Sequence, residues 1–232
     1  MEFVWDLIPG IEISYLGVCL TRVIIVRHGE TAWNNASRFQ GTLNVKLNDT
    51  GVEQAKALAE SFKGQKIDAI YSSPLDRAKQ TAETIAAYHG HHVALKDEFI
   101  EIDHGKWEGL FLKEVVNDDH LLYQEWLNNP QNFLMPKGES LAQVRERVVS
   151  AFYRIVENHP DQTVILVGHD ATNKVLICEL LGVDNSHFWQ IKQGNGAITI
   201  FDYERGQSRL ILLNDTCYLG GGLIDTTAPG AL

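Results

Sequence analysis

The chain has 232 residues, of which 44% are hydrophobic and 22% are charged, and its formal net charge is −10. This composition is typical of one or two globular domains. The acidic balance argues against nucleic acid or an anionic membrane as the main partner. Three cysteines, Cys19, Cys178 and Cys217, stand far apart. We therefore expect neither a disulfide framework nor a zinc site, and we expect the protein to reside in a reducing cytoplasm.

The first twenty residues are apolar, but they fit neither a signal peptide nor a membrane span. They contain three acidic residues and no Lys or Arg, and Pro9-Gly10 interrupts them. A signal peptide has a basic start and an unbroken apolar run, and a span needs about 20 apolar residues. We expect residues 1–20 to be an N-terminal extension of unknown role, or to precede the working start. Residues 21–232 are expected to form a single domain, since no repeat or linker divides them.

The first half of the chain alternates short apolar runs with amphipathic stretches. The apolar, β-branched runs are typical of strands buried on both faces, and they predict strands at about residues 22–26, 67–71 and 93–95. Helical periodicity predicts a helix over residues 49–62, with Asp49 or Thr50 as its N-cap. A second helix is expected to start with Pro74 just inside its first turn and to reach about Tyr88.

The second half continues this alternation and ends in a hairpin. A charged loop and further helical stretches precede a long amphipathic helix, which Ser140 and Gln143 open as a capping box. Another helix ends at Gly182, and later apolar runs predict strands at about residues 163–167, 197–203 and 209–213. The last two runs are spaced as a hairpin. The order of elements predicts an α/β fold, a three-layer α/β/α sandwich whose sheet is mostly parallel with an antiparallel strand.

Polar residues follow four of the predicted elements at the same relative place, directly beyond a buried strand. They are Arg27-His28, Arg77, Glu101 and His169. Because the carboxyl ends of parallel strands meet at one edge of a sheet, we expect these side chains to converge in one pocket. Taken alone, Arg27-His28 favours a histidine that caps a strand end over a catalytic histidine. The other three positions favour a shared site.

Two histidines, two arginines and one carboxylate suit the transfer of a phosphoryl group. Guanidinium groups bind a phosphate dianion through paired hydrogen bonds. A neutral imidazole is a competent nucleophile, and a carboxylic acid can protonate the leaving alkoxide and then deprotonate the attacking water. We expect no metal and no other cofactor, because the arginines already supply the positive charge that a metal would bring.

The run R-H-G-E-T-A-W-N at residues 27–34 resembles the signature of the histidine phosphatase superfamily, also called the phosphoglycerate mutase-like family. Further motifs of that family follow in order at residues 38–41, 47–51, 72–82, 101–109, 138–140 and 167–169. The resemblance implies the phosphoglycerate mutase-like fold. It also implies a phosphohistidine intermediate, which hydrolysis would form and break in two displacements.

The resemblance assigns a role to each matched residue. His28 would be the phosphorylated nucleophile, and Glu101 would be the proton donor and then the base. The residues implied to hold the phosphoryl group are Arg27, Arg77 and His169, and those implied to line the pocket are Asn34, Gln40 and Gly41. Glu30 and Asp103 also lie near the pocket, and we interpret both as structural.

The branch of the family is indicated by two motifs. Cofactor-dependent mutases carry G-W-x-D and N-E-R-x-Y-G where this chain has G-T-L-N at residues 41–44 and E-I-D-H-G at residues 101–105. This difference implies hydrolysis of a small-molecule phosphate monoester. The motifs at residues 101–105, 138–142, 180–189 and 216–220 resemble those of the metal-independent phosphoserine phosphatases of bacteria. In that group the histidine at the His104 position and the C-terminal segment resemble a serine-recognition lid. The alternatives are an α-ribazole or sugar-phosphate phosphatase (carboxyarabinitol phosphate type), a phosphoglycerate mutase and an inactive regulatory homologue.

Two further features have no settled role in the sequence. Asp170 departs from the family pattern, which often has a small residue after the second histidine. It is either the N-cap of the following helix or a residue that orients His169 or contacts the substrate. The apolar stretch at residues 110–126 and the C-terminal tail could serve a homodimer interface.

Overall fold

The computed structural model describes residues 20–220. The expected N-terminal extension, apart from Leu20, lies outside the described residues, as does the chain beyond residue 220. Within residues 20–220, no helix is both long enough and apolar enough to cross a membrane.

Six strands form one sheet. In chain order they are β1 (Thr21–Arg27), β2 (Ala69–Ser72), β3 (Val93–Leu95), β4 (Thr163–Gly168), β5 (Ile198–Glu204) and β6 (Gln207–Asp215). Their order across the sheet is β3-β2-β4-β1-β5-β6. The pairs β1–β4, β4–β2 and β2–β3 are parallel, whereas β5 is antiparallel to both β1 and β6. The expectation of a mostly parallel sheet with an antiparallel strand is therefore confirmed.

Seven α-helices accompany this sheet within the described residues. They are α1 (Ala32–Asn35), α2 (Asp49–Ser61), α3 (Asp76–His89), α4 (Leu112–Asp118), α5 (His120–Asn128), α6 (Leu141–Asn158) and α7 (Asp170–Leu181). Short 3-10 helices lie at Asp97–Phe99, Gly105–Trp107, Pro130–Asn132, Asn185–Gln190 and Cys217–Leu219.

The central strands are apolar on both faces, and each face has its own core. Along β1, Val23 and Ile25 lie in one buried cluster, to which α6 and α7 contribute. Ile24 and Val26 lie in a second cluster, to which α2 and α3 contribute. Because successive side chains of a strand point to opposite faces, the two clusters lie on opposite sides of the sheet. The three-layer arrangement expected from the sequence is confirmed.

The N-cap of α6 agrees with the sequence analysis, whereas the N-cap of α2 differs from it. Ser140 and Gln143 form the expected capping box at the start of α6. The N-cap of α2 is Asn48, whose Oδ1 accepts a hydrogen bond from the Gly51 amide at 2.8 Å. The prediction of Asp49 or Thr50 was wrong by one or two residues, because the Asn-Asp-Thr run offers three adjacent side chains that can cap.

Pro74 lies before α3 rather than inside its first turn. The helix begins at Asp76, whose backbone amide donates to Asn44 Oδ1 at 2.7 Å. This side chain from a distant loop supplies a partner that no local sequence signal reveals. The start of the helix is displaced towards Arg77, and the arginine lies in its first turn.

Candidate active site

The two histidines are brought together by the parallel pairing of β1 with β4. Arg27, the last residue of β1, is in register with Gly168, the last residue of β4. The residue that follows each strand is a histidine, and the His28 amide donates to the Gly168 carbonyl at 3.1 Å. The ring centres of His28 and His169 lie 5.1 Å apart, with the rings inclined at 61°. The expected convergence of these two residues is observed.

The His28 ring has a defined orientation. Its Nδ1 lies 2.6 Å from the Gly29 carbonyl oxygen. Since a carbonyl only accepts, Nδ1 carries the proton and Nε2 presents a lone pair. Burial lowers the pKa of His28 well below 6.5, and the charges of Arg77 and Arg27 lower it further. The imidazole is therefore neutral at physiological pH, with Nε2 as its free nucleophilic atom.

Gly29 makes a close approach that supports this orientation. A Cβ at this position would lie 2.5 Å from the backbone oxygen of Gly51, at the start of α2. The Gly29 amide also donates to Thr81 Oγ1 at 3.2 Å. A larger residue would displace the segment whose carbonyl fixes the His28 ring.

Arg27 and Arg77 are buried cations that are held by backbone carbonyls. Arg27 Nη1 donates to the Gln193 oxygen at 2.7 Å. Arg77 donates from Nη1 to Leu43 at 2.8 Å and from Nη2 to Gly41 at 2.7 Å. The Nε atoms of both arginines are buried without a partner among the described residues. Burial lowers the pKa of Arg77 to about 10, although the charge of Glu101 opposes this shift. Within residues 20–220, no carboxylate forms a hydrogen bond or an ion pair with either arginine, so both positive charges remain available to an anion.

His169 adds a further polar group that has no bond within the described chain. The residue is fully buried, and neither ring nitrogen has a hydrogen-bond partner among residues 20–220. Burial lowers its pKa well below 6.5, and the charge of Arg77 contributes. A neutral imidazole of this kind offers one N–H donor to an oxygen of a bound anion.

Glu101 is fixed by the N-terminus of α7. Its Oε1 accepts from the Ile102 amide, the Thr172 amide and the Thr172 hydroxyl at 3.0 to 3.1 Å. Within residues 20–220, its Oε2 accepts only from the Ala171 amide, at 3.2 Å. Oε2 is therefore the oxygen that retains free lone-pair capacity. Because α7 begins directly after His169, the same helix terminus places both residues.

Arg147 holds the loop that carries Glu101. Its guanidinium donates to the carbonyls of Glu98, Ile100 and Glu101 at 2.6 to 3.2 Å. It also forms an ion pair with Glu139 at 2.9 Å. Three backbone carbonyls are thus fixed by one side chain of α6. The sequence analysis did not identify this residue, since Arg147 is one of several charges on an amphipathic helix.

The four residues expected to bind substrate lie around the histidines, with different roles. Gly41, at a φ of +52°, supplies the carbonyl that holds Arg77. Asn34 Oδ1 accepts from Asn195 Nδ2 at 3.2 Å, and Asn195 also donates to the His28 carbonyl. Gln40 is buried, and its Oε1 accepts from Thr31 Oγ1 at 3.0 Å. Gln40 therefore supports the loop through Thr31.

His104 and Glu101 both line a small cavity. Its ring packs edge-on against Phe39, with ring centres 5.1 Å apart. Burial lowers the pKa of His104 to about 4, so its imidazole is neutral at physiological pH. Its Nδ1 is buried and without a partner among the described residues.

Gln193 and Asn195 were missed in the sequence analysis. They belong to the segment Q-G-N-G before β5, whereas the residues predicted for the site follow the carboxyl ends of strands. Because β5 is antiparallel to β1, its beginning lies at the edge where β1 ends. The Gly and amide residues directly before an antiparallel strand were the signal that could have revealed them.

Asp170 is not the N-cap of α7. The N-cap is His169, whose side chain makes no capping bond, and Asp170 is the first helical residue. The carboxylate of Glu101 caps this helix from a distant loop instead. Asp170 Oδ2 lies 2.9 Å from Lys174 Nζ.

Glu30 and Asp103 bond to loop groups, as a structural role requires. Glu30 Oε1 accepts from Asn48 Nδ2, and Asp103 Oδ1 accepts from the Gly105 amide, both at 2.7 Å. Among residues 20–220, no group of three or more His, Cys, Asp or Glu side chains is placed to hold a metal ion.

The chain is similar to known proteins over most of its described length. Residues 23–216 match the model of the histidine phosphatase superfamily (branch 1). Phosphoserine phosphatase 1 of Hydrogenobacter thermophilus is 37% identical over 201 residues, which cover 87% of this chain and 95% of that protein.

Solved structures share the fold. A phosphoserine phosphatase mutant from Entamoeba histolytica, in complex with phosphoserine, matches with a TM-score of 0.78 and 32% identity, covering 86% of this chain and 99% of that one. A putative alpha-ribazole-5'-P phosphatase from Escherichia coli matches with a TM-score of 0.76 and 26% identity, covering 84% and 96% of the two chains. The chain belongs to the histidine phosphatase superfamily and is a phosphatase of that superfamily.

Proposed function

We propose that the protein hydrolyses phosphate monoesters through a phosphohistidine at His28 Nε2, without a metal ion, and that phosphoserine is its substrate. The observation that carries this proposal is the neutral His28, which the Gly29 carbonyl orients and on which the charges of two buried guanidinium groups act. Phosphoryl transfer asks a protein mainly for positioning and electrostatic stabilisation. Both are present here.

The phosphate group binds where the buried cations lack a counter-charge. Arg27 and Arg77 keep Nε–H donors that have no partner among the described residues. A phosphate dianion provides acceptors for these donors and for His169, and charge-assisted bonds of this type are strong. Its binding also offsets the cost of burying two cations together. The site is therefore complementary to a phosphoryl group.

The first displacement forms a bond between His28 Nε2 and phosphorus while the bond from phosphorus to the ester oxygen breaks. Glu101 donates the proton that the leaving alkoxide needs, and Oε2 is the oxygen able to carry it, since Oε1 already accepts three hydrogen bonds. In the second displacement, Glu101 takes a proton from water as the water oxygen attacks phosphorus. The nitrogen–phosphorus bond then breaks, and His28 regains its lone pair.

Phosphoserine is supported by two separate observations. The similarity to phosphoserine phosphatases extends over most of the chain. His104, at the position that the resemblance links to serine recognition, lines the cavity next to Glu101. The leaving group of the ester would therefore meet His104. Use of α-ribazole phosphate or a sugar phosphate is the alternative that a substrate panel tests directly.

Homodimerisation stays a prediction. In the apolar stretch assigned to it, Leu121 is 82% exposed and Leu122 is 39% exposed. Both lie on α5, which carries none of the residues proposed to bind the phosphoryl group. The proposed chemistry uses groups of one chain only.

The variant His28→Ala should lose at least about 10³-fold in kcat/KM for phosphoserine and for p-nitrophenyl phosphate, because it removes the proposed nucleophile, the Nε2 lone pair that the Gly29 carbonyl orients. Both reactions are measured in EDTA. His120→Ala is the matched control, since His120 is exposed on α5, and it should retain wild-type rates. Full turnover by His28→Ala, or no turnover by the wild type, would contradict the proposal.

The variant Glu101→Gln should lower kcat/KM for phosphoserine by about 10² to 10⁴-fold, because the amide cannot protonate the leaving alkoxide. The loss in kcat/KM for p-nitrophenyl phosphate should be under about 10-fold, since kcat/KM reports the first displacement and this leaving group is stable as an anion. Glu125→Gln, at an exposed position on α5, serves as the control. Equal losses for the two substrates would exclude Glu101 as the proton donor.

Neutral, buried histidines should make the protein less stable in mild acid. The unfolded chain binds a proton at each histidine near pH 6.5, whereas folded His104 stays neutral down to about pH 4. The free energy of unfolding should therefore fall as the pH drops from 7 to 5, with each such histidine adding about 1.4 kcal/mol per pH unit below 6.5. In His104→Gln, the free energy of unfolding, measured with urea at each pH, should depend less steeply on pH between 7 and 5. His120→Gln should keep the wild-type slope, and an unchanged slope in His104→Gln would refute the assignment.

A further inference from the structure

Glu101, the proposed proton donor, lines a small cavity of about 10 Å³, which has room for one group the size of a water molecule or an ammonium. Since Glu101 is proposed to deliver its proton to the ester oxygen, we place the leaving group against this residue. Besides Glu101, Asp170 and Ala171, the cavity is lined by residues with ring side chains. They include Phe39, His104, Trp126, Phe188 and Trp189. This inference rests on the proposed function and concerns the chemistry of that leaving group.

Asp170 presents an unused acceptor in this cavity. The residue is only 6% exposed. Its Oδ2 is bound to Lys174 Nζ at 2.9 Å, while Oδ1 is buried and has no partner among the described residues. A buried acceptor that stays unpaired is costly. A hydrogen-bond donor on a ligand would satisfy it.

Lys174 holds Asp170 in place rather than competing for the ligand. It is 4% exposed, and its Nζ lies 4.8 Å from the centre of the Phe188 ring and 4.9 Å from that of Trp189. The ammonium is therefore engaged by one carboxylate oxygen and two ring faces. This leaves Asp170 Oδ1 as the polar atom of the pair that is free to bind.

The surroundings of Oδ1 favour a cationic donor. Asp170 brings a carboxylate with an unpaired oxygen to the cavity wall. His104 adds no charge there, because burial lowers its pKa to about 4. Aromatic faces attract cations. A hydroxyl would form only a neutral-donor bond to Oδ1, which is weaker than a bond from an ammonium group. A carboxylate at the same place would be repelled.

We propose that Asp170 Oδ1 binds the ammonium group of a phosphorylated amino alcohol and so selects an amine-bearing leaving group over a hydroxyl-bearing one. Asp170 is thus a specificity residue at the position where the chain departs from the family pattern. The phosphoryl chemistry of His28 does not depend on this contact.

The test compares two substrates that differ only at this group. L-Phosphoserine and L-3-phosphoglycerate, which have the same configuration, carry an ammonium and a hydroxyl, respectively, on the same carbon. The ratio of their kcat/KM values is measured within each variant, so that partial unfolding or slower phosphoryl transfer cancels. The variants are Asp170→Asn and the double variant Asp170→Ala with Lys174→Met, which leaves no unpaired lysine. Asp118→Asn, at an exposed position on α4, is the matched control.

The ratio should favour phosphoserine in the wild type and fall by at least about 10-fold in both Asp170 variants, as expected for loss of a hydrogen bond between charged groups. It should be unchanged in Asp118→Asn. Hydrolysis of phosphoserine with an unaltered ratio in the Asp170 variants would overturn this assignment alone. Cleavage of p-nitrophenyl phosphate without cleavage of phosphoserine would overturn both this assignment and the proposed substrate.

Discussion

The pairing of β1 with β4 is the constraint on which the whole site depends. Arg27 and Gly168 are in register, so the residues that follow them, His28 and His169, leave the sheet side by side. A register shift of one residue would turn each side chain to the opposite face. The apolar side chains of both strands prevent this shift, because each face is buried in its own core. The hydrophobic pattern of the strands therefore sets the geometry of the catalytic groups.

The electrostatics of the site follow from burial combined with neutral anchors. Arg27 and Arg77 are oriented by carbonyl oxygens, which fix a guanidinium without cancelling its charge. The same burial keeps His28 uncharged and nucleophilic, and the neighbouring cations reinforce this effect. Glu101 is placed differently, on the amides at the start of α7. The sheet edge, the N-terminus of α7 and the first turn of α3, which carries Arg77, thus orient the groups of the proposed reaction.

Much of this could be predicted from the sequence, because the relevant signals are local. Unbroken apolar runs mark the strands, and a polar residue at the end of a run marks the catalytic edge, as at His28 and His169. The groups that were missed depend on contacts between distant segments. Gln193 and Asn195 reach the edge because β5 runs antiparallel, and the N-cap role expected for Asp170 is taken by Glu101 from a loop 70 residues away. A local pattern marks such residues at most as polar loop positions and does not show which distant segment they will contact.

The central claim is that the phosphoryl group passes through His28. Rapid acid-free quenching of the wild type with phosphate-labelled phosphoserine, followed by peptide mapping in alkaline solution, tests it most directly, since a phosphohistidine survives base and is lost in acid. The account predicts acid-labile label on the peptide that contains His28. Label on another residue, or turnover with no labelled protein at any time, would contradict it.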